Sequence, residues 1–455
     1  MSVPVTVLCG ALGAGKTTLL SHLLEQDERE IAVVVNDVGE VNVDADLVET
    51  RTDLESGQEV LALENGCICC SLGSDLSRAV IDLWKRHDFE ALVVEASGVG
   101  EPEPIAHQFA RGPAAGPYDL DAIVTVVNAR QFYDTFLGDA VLDDVGNGDG
   151  EVNRDGDDDL HLKGALEPPE RAGPDETGSR PLADLFLEQI EFCDLLVVNK
   201  CDLVTDDERE AVVATLETLQ PRAEIRTTEY GSLPAAAVLE TGLFDLSVAR
   251  EAAGWKQAIE DDALEDTSRD EAAEAGGHDD THDGDPDHGH DEGYDHDHLH
   301  PPERYGLVVD TYHRIRPFHP QRLLAFLEDP PANLVRVKGL TWIAGREDQA
   351  ITTSLAASET SLEVTGRWIA SFSEQQQETY RAGQPDLPWD EQWGDRETRL
   401  AVIGRNLDTE KLFDRLDDCL LTDDEIEAGP EAWLEFENPT PTAMNRTLVV
   451  SSRDD

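Results

Sequence analysis

The stretch Val3-Pro-Val-Thr-Val-Leu-Cys-Gly-Ala-Leu-Gly-Ala-Gly-Lys-Thr17 decides the fold. Its first half is an apolar run of strand length. Its second half, Gly10 to Thr17, fits Gly-x4-Gly-Lys-Ser/Thr, and a helical pattern follows. A backbone of Gly10, Gly13, Ala14 and Gly15 can turn its N–H groups onto phosphate oxygens, and the helix start behind it adds a positive dipole end. Lys16 then neutralises β- and γ-phosphate charge and is a catalytic candidate. Thr17 offers a hydroxyl to Mg²⁺, and Thr18 continues the cradle.

Outward from this motif, apolar runs at 31–35, 60–63, 91–95, 122–127 and 195–198 alternate with helical-period segments. That alternation predicts an α/β domain with a largely parallel sheet over residues 1–246. It is interrupted at about 138–179 by an insertion rich in Asp, Gly, Asn and Pro. Residues 247–302 are dense in Asp and His and read as an interdomain linker. Strand-like segments at 305–312, 334–344 and 399–403, with helical ones at 320–327 and 409–420, predict a small α+β domain over 303–438. An acidic, frayed tail is expected at 439–455.

Two further elements sit where a nucleotide site needs them. Leu92-Val-Val-Glu95 is an apolar strand ending in a carboxylate, as expected beside Mg²⁺, and Gly98 behind it can present an N–H to the γ-phosphate. Asn199-Lys200-Cys201-Asp202 follows the run at 195–198. A carboxylate at Asp202 accepts from both guanine N1–H and the exocyclic amine, so the element selects GTP over ATP. Asn36-Asp37-Val38-Gly39-Glu40 occupies the place of a first switch. The residue that orients the attacking water is left open among Asp37, Glu40 and Glu95.

Acidic residues outnumber basic ones 97 to 35, for a formal charge of −62. Nucleic acid is thereby excluded as an expected partner, and a salt-loving host is implied, in which ions screen the self-repulsion. No stretch approaches the roughly 20 apolar residues of a membrane span, and the first residues lack a signal-peptide pattern, so a cytoplasmic protein is expected.

Three of the seven cysteines are packed into Glu64-Asn-Gly-Cys67-Ile-Cys69-Cys70. That spacing is too tight for a disulfide framework and suits thiolate ligands to Zn²⁺, Co²⁺ or Cu⁺, with a fourth position open for exchange. Cys9, Cys193, Cys201 and Cys419 read instead as packing residues. The linker histidines, among them His288, His290, His296 and His298, could load a metal weakly and release it quickly.

In this order, the P-loop, Gly39-Glu40, Cys-x-Cys-Cys, Glu-x-Ser-Gly, Asn-Lys-x-Asp and the His-rich linker resemble the CobW-like GTPase metallochaperone family. Arg336-Val-Lys-Gly-Leu-Thr-Trp-Ile-Ala344, Gly366-Arg-Trp368 and Leu400 to Asp408 are similar to that family's second-domain signatures. The resemblance implies a GTPase using GTP and Mg²⁺, with Lys16 and Thr17 on the nucleotide and Mg²⁺. It also implies that Asn199, Lys200 and Asp202 lie at the base, and that Cys67, Cys69 and Cys70 lie on the metal near the switches. It implies delivery of zinc, or of cobalt for corrinoid synthesis, to a client metalloprotein, with a homodimer as an option. A non-enzymatic metal buffer that merely responds to nucleotide is the competing expectation.

Overall fold

A computed structural model of the chain describes residues 2–26, 29–35, 59–62, 73–138, 181–249, 252–260, 262, 305–384, 387–444 and 446–451. The first part runs β1 (Val3–Cys9), α1 (Lys16–Gln26), β2 (Ile31–Val35), β3 (Glu59–Ala62), α2 (Gly73–Arg86) and β4 (Ala91–Glu95). It continues with α3 (Pro102–Ala110), β5 (Tyr118–Asn128), α4 (Ala129–Phe136), α5 (Leu182–Glu191), β6 (Leu195–Asn199), α6 (Asp206–Leu219) and β7 (Glu224–Thr227).

These seven strands form one sheet in the order β3-β2-β4-β1-β5-β6-β7, and every pairing is parallel. A parallel sheet is covered on both faces, so its strands read as continuous apolar runs and not as alternating ones. Every residue of β2, β4 and β6 is buried accordingly. Val5, Val7 and Cys9 of β1 join Leu92 and Val94 on one face, whereas Leu8 joins Leu19 and Leu20 of α1 on the other. Because all strands point one way, Gly10, Glu95 and Asn199 arrive together at the carboxyl edge, where open α/β sheets bind ligands.

The second part comprises β8 (Leu307–Arg314), α7 (Pro320–Leu327), β9 (Leu334–Thr341), β10 (Gln349–Ala356), β11 (Glu359–Arg367), β12 (Thr398–Arg405), α8 (Thr409–Asp417) and β13 (Thr447–Ser451). Its six strands form an antiparallel sheet in the order β13-β11-β10-β9-β12-β8. On one face Leu323, Leu327, Leu412 and Leu416 from α7 and α8 cover Val337, Leu355 and Val402. From the opposite face Val335, Ala356 and Ile403 enter the same apolar cluster as Leu187 and Ile190 of α5 and Val212 and Leu216 of α6. The two sheets are thus layers of one stack, with α5 between them.

Charge is buried at this junction. Arg336 of β9 has no exposed side-chain surface; its Nε and Nη2 donate to Glu191 at 2.7 and 3.1 Å, and its Nη1 donates to Asp184 at 2.7 Å. Lys338 reaches Glu188 at 2.8 Å.

Two sequence expectations need correction. The linker does not begin at 247: residues 254–260 are helical, Trp255 donates to Glu191 at 3.1 Å, and Thr311 donates to the carbonyl of Ala258 at 3.2 Å. Trp255 provides the reason, since its ring packs against the shared apolar cluster. Nor is 439–455 wholly a frayed tail, because Thr447–Ser451 pairs antiparallel with β11. Leu448 and Val450 supply apolar side chains to the α7/α8 face, and Arg346 anchors the approach by binding the carbonyls of Asn438 and Thr440 at 2.8 Å. Among the described residues no helix is long and apolar enough to cross a membrane.

Asp194, at the entry to β6, accepts from Ile123 N–H at 2.8 Å. Burial pushes its carboxyl up from the usual 3.8 to about 6, against the Ile123 N–H and Arg222 and with Asp121 and Asp245 adding to the rise. The folded chain therefore holds this proton where the unfolded chain releases it, so stability from this group is full below about pH 4 and is lost as pH rises through about 6. Asn at 194 keeps an acceptor for Ile123 and carries no charge. Asp194→Asn should raise Tm by a few degrees at pH 7.5, consistent with roughly 2–3 kcal/mol, and the gain should vanish below pH 4. Thermal melts at fixed high salt across that pH range check both the sign and the window.

Candidate functional site

The site is built at the carboxyl edge of the parallel sheet, from the turn between β1 and α1. Gly10 has φ +139°, and a Cβ there would stand 2.3 Å from the carbonyl oxygen of Val126. Gly15 has φ +108°, and a Cβ there would stand 2.3 Å from Asn199 Nδ2. Both positions therefore need glycine for conformation and for space. Gly13 and Ala14 lie between them, and Lys16, Thr17 and Thr18 form the first turn of α1. Lys16 is buried, and its ammonium donates to the carbonyls of Gly10 at 2.8 Å and Ala11 at 3.4 Å, so the charge sits inside the loop.

Thr17 Oγ1 donates to Glu95 Oε1 at 3.4 Å, across from the buried end of β4. A hydroxyl and a carboxylate converging beside a phosphate cradle are hard oxygen donors, which fits Mg²⁺ completed by water and phosphate oxygens. The turn 97–100 lies directly on the P-loop, since a Cβ on Gly98 would stand 2.9 Å from Leu12 N. Ala96 N–H bonds Leu8 O and Gly100 N–H bonds Ser97 O, both at 2.9 Å. From α5, Gln189 Nε2 donates to Gly100 O at 2.8 Å and to Gly98 O at 3.4 Å.

Asn199 ends β6 and joins two loops. Its Nδ2 donates to Ala14 O at 3.0 Å, and its Oδ1 accepts from Gly231 N–H at 2.9 Å. The donor and acceptor partners fix which way the amide points. Lys200 follows in the left-handed region at φ 60°, a sharp bend that presents Asp202 exposed at the surface. Beside it an open groove of about 480 Å³ is lined by Cys201, Arg209, Thr227, Thr228, Glu229, Tyr230 and Ser232.

The structure thus brings Gly10, Gly13, Ala14, Gly15, Lys16, Thr17, Thr18, Glu95, Gly98 and Asn199 together, with Lys200 and Asp202 at the flank. The loop 228–232 and Gln189 were not singled out from the sequence. Glu229-Tyr-Gly-Ser232 has no motif of its own, and Gln189 reads as one more polar residue of an amphipathic helix. Asp37, Glu40, Cys67, Cys69, Cys70, His288, His290, His296 and His298 lie outside the described residues. Among the described residues no group of three or more His, Cys, Asp or Glu side chains is gathered for a metal. The four described cysteines are buried thiols: burial pushes Cys9 up to about 12 and Cys419 to about 11, and raises Cys193 and Cys201 as well. A thiol held protonated is a poor metal ligand.

Residues 4–227 match the family model described as CobW/HypB/UreG, nucleotide-binding domain, and residues 309–420 match the Cobalamin synthesis protein cobW C-terminal domain. The chain is similar to zinc-regulated GTPase metalloprotein activator 1 of Dictyostelium discoideum, 29% identical over 96% of this chain and 84% of that one. It is also similar to zinc chaperone CobW of Pseudomonas aeruginosa, 29% identical over 52% of this chain and 59% of the relative. Among solved structures, Zn(II)-bound YjiA GTPase from E. coli aligns over 92% of this chain and 99% of its own, at 18% identity and TM-score 0.37.

Since Asn199 ties the P-loop to the loop after β7, Asn199→Ala removes the two buried hydrogen bonds that hold those loops together. GTP and GDP affinities should fall together, by about 10-fold or more, as fluorescent-nucleotide titration reads directly. Retention of either affinity would show that the staple is dispensable.

Proposed function

The chain belongs to the CobW-like family of P-loop GTPases, and from that premise we propose that it is a GTP-hydrolysing metallochaperone whose cargo is zinc. The observation that carries this reading is the convergence of the Lys16 loop, the Thr17–Glu95 pair and Asn199 at one sheet edge that also receives the end of β3. Cys67 lies five residues beyond Ala62, the last residue of β3. That tether reaches at most about 17 Å, and β3 stands two strands from β4, about 10 Å at normal strand spacing. The Cys-x-Cys-Cys cluster is therefore within reach of the phosphate-sensing side of the pocket. The names of the relatives, zinc-regulated in Dictyostelium and zinc chaperone in Pseudomonas, favour zinc over cobalt as the ion.

In this reading Lys16 offsets charge on the β- and γ-phosphates and the 10–15 backbone holds them. Gly98 donates its N–H to the γ-phosphate, and Asp202 selects guanine. Thr17 and Glu95 would hold Mg²⁺, which supplies charge neutralisation across the β- and γ-oxygens when bound. Glu95, Glu40 and Asp37 are the candidates for orienting the attacking water. Cys67, Cys69 and Cys70 bind the cargo ion tightly in the GTP form and loosen it after hydrolysis, passing it to a client metalloprotein. The linker histidines capture the ion beforehand.

Cys69→Ser should lower zinc affinity at least 10-fold while leaving GTP affinity within twofold. In the parent protein, zinc should be held more tightly with a non-hydrolysable GTP analogue than with GDP. Competition titrations with a chelating dye, run beside phosphate-release assays in high salt, test both. Equal zinc affinity in the two nucleotide forms, or none lost in the variant, overturns the reading.

A further inference from the structure

We propose that Gln189 is a positioning residue for the γ-phosphate, and that through α5 it makes GTP recognition depend on the C-terminal domain. The inference rests on the reading of this chain as a guanine-nucleotide protein and adds to it a connection between nucleotide and second domain.

Gln189 is fully buried, and its amide is the side-chain donor onto the turn that carries Gly98. Its two contacts are unequal. The bond to Gly100 O is 2.8 Å, whereas that to Gly98 O is 3.4 Å and has room to shorten. Its Oε1 is buried and has no hydrogen-bond partner among the described residues. The amide therefore holds the turn through its Nε2 donor, and the longer of the two contacts is the one that movement of Gly98 alters. A γ-phosphate accepting from Gly98 N–H draws the same turn, and Gln189 sets how far the turn can follow.

The helix bearing Gln189 is gripped from its other side by the second domain. Asp184, Glu188 and Glu191 fall at the i, i+4 and i+7 positions of one helical face, with Gln189 projecting away from them. These three carboxylates take Arg336 and Lys338 of β9, and Asp184 accepts Ser354 Oγ of β10 as well. Within a single ten-residue helix, then, one side holds the phosphate-facing turn and the other is bound to the antiparallel sheet. Thr125 Oγ1 donates to Gln189 O at 2.8 Å, which keeps the helix in register with the parallel sheet. A displacement of the turn is passed to the helix, because one side of α5 is hydrogen-bonded to the turn and the other to the antiparallel sheet. Anything that shifts β9 must bias the turn, and by linkage the turn must bias β9 equally.

The test compares GTP and GDP affinities of the full chain, since GDP lacks the group that the turn recognises. Gln189→Leu, similar in volume and without donor or acceptor, should lower the GTP:GDP affinity ratio at least about 5-fold while GDP affinity stays within twofold. Arg336→Lys keeps the charge but loses the two-pronged grip on Glu191; it should shift the same ratio in the same direction, by a smaller factor, without touching the pocket. A residue that merely stabilises the fold would weaken both nucleotides alike, so equal losses in a folded variant overturn the proposal, as does an unchanged ratio. Should either variant fail to fold, hydrogen exchange on the parent protein decides. Amides of 97–100 and of 184–191 should change protection together between GTP analogue and GDP, and a change confined to 97–100 overturns it. A parent protein that binds neither nucleotide overturns the functional reading itself, whereas a parent that discriminates while both variants keep its ratio overturns this inference alone.

Discussion

A guanidinium with no contact with water is held between two carboxylates from another part of the chain, and the architecture turns on that contact. Removing Arg336 from solvent is costly, and burial by itself pushes its proton affinity down. Glu191 and Asp184 nevertheless hold it above its ordinary value and therefore charged. Such a set adds little net stability over an apolar equivalent, but deleting one member leaves a buried charge unpaired, at about 3–5 kcal/mol. What it contributes is direction. The fork of Arg336 has two prongs for Glu191 and one for Asp184, so α5 can sit on β9 in one orientation and register. Apolar contact alone, through Leu187, Ile190, Val335 and Ile403, would tolerate sliding.

From that fixed helix the nucleotide site inherits its shape. Gln189 leaves α5 for the turn on the P-loop, β6 follows α5 directly, and Asn199 at its end bridges Ala14 and Gly231. The pocket is a local motif held by long-range bonds. The glycine turn provides the cradle, but its closeness to Asn199 is set by where β6 lies in the sheet, paired with β5 and β7.

The sequence revealed what is contiguous and concealed what is assembled. The P-loop, the carboxylate at Glu95 and Asn199 to Asp202 each combine an apolar strand with a fixed short motif, so a window of about ten residues carries both place and chemistry. Continuous apolar runs likewise marked the parallel strands. Strands β10 and β11 were harder to see: Gln349-Ala-Ile-Thr-Thr-Ser-Leu-Ala356 mixes hydroxyls with apolar residues because one of its faces meets α5 through Ser354. The pairing of Thr447–Ser451 was hidden by its polar neighbours on both sides. The junction was illegible for a plainer reason. Arg336 and Asp184 are 152 residues apart, and in a chain with 97 acidic residues nothing distinguishes the carboxylates that are buried.

Charge composition itself becomes informative once the burial is known. Only seven lysines remain in a chain of charge −62, and two of them, Lys16 and Lys338, are placed where a compact cation meets a defined partner. Lys338 also lies over the ring of Trp255, 5.4 Å from its centroid, and Lys256 lies at 5.5 Å from it. Exposed pairs such as Arg415–Asp329 are screened at high salt, where the Debye length falls to about 3 Å at 1 M, and so is the repulsion among surface acids. The Arg336 set has no such exposure and keeps its strength. Rising salt therefore removes the forces that would drive the acidic surfaces apart while sparing the one that orients the two sheets.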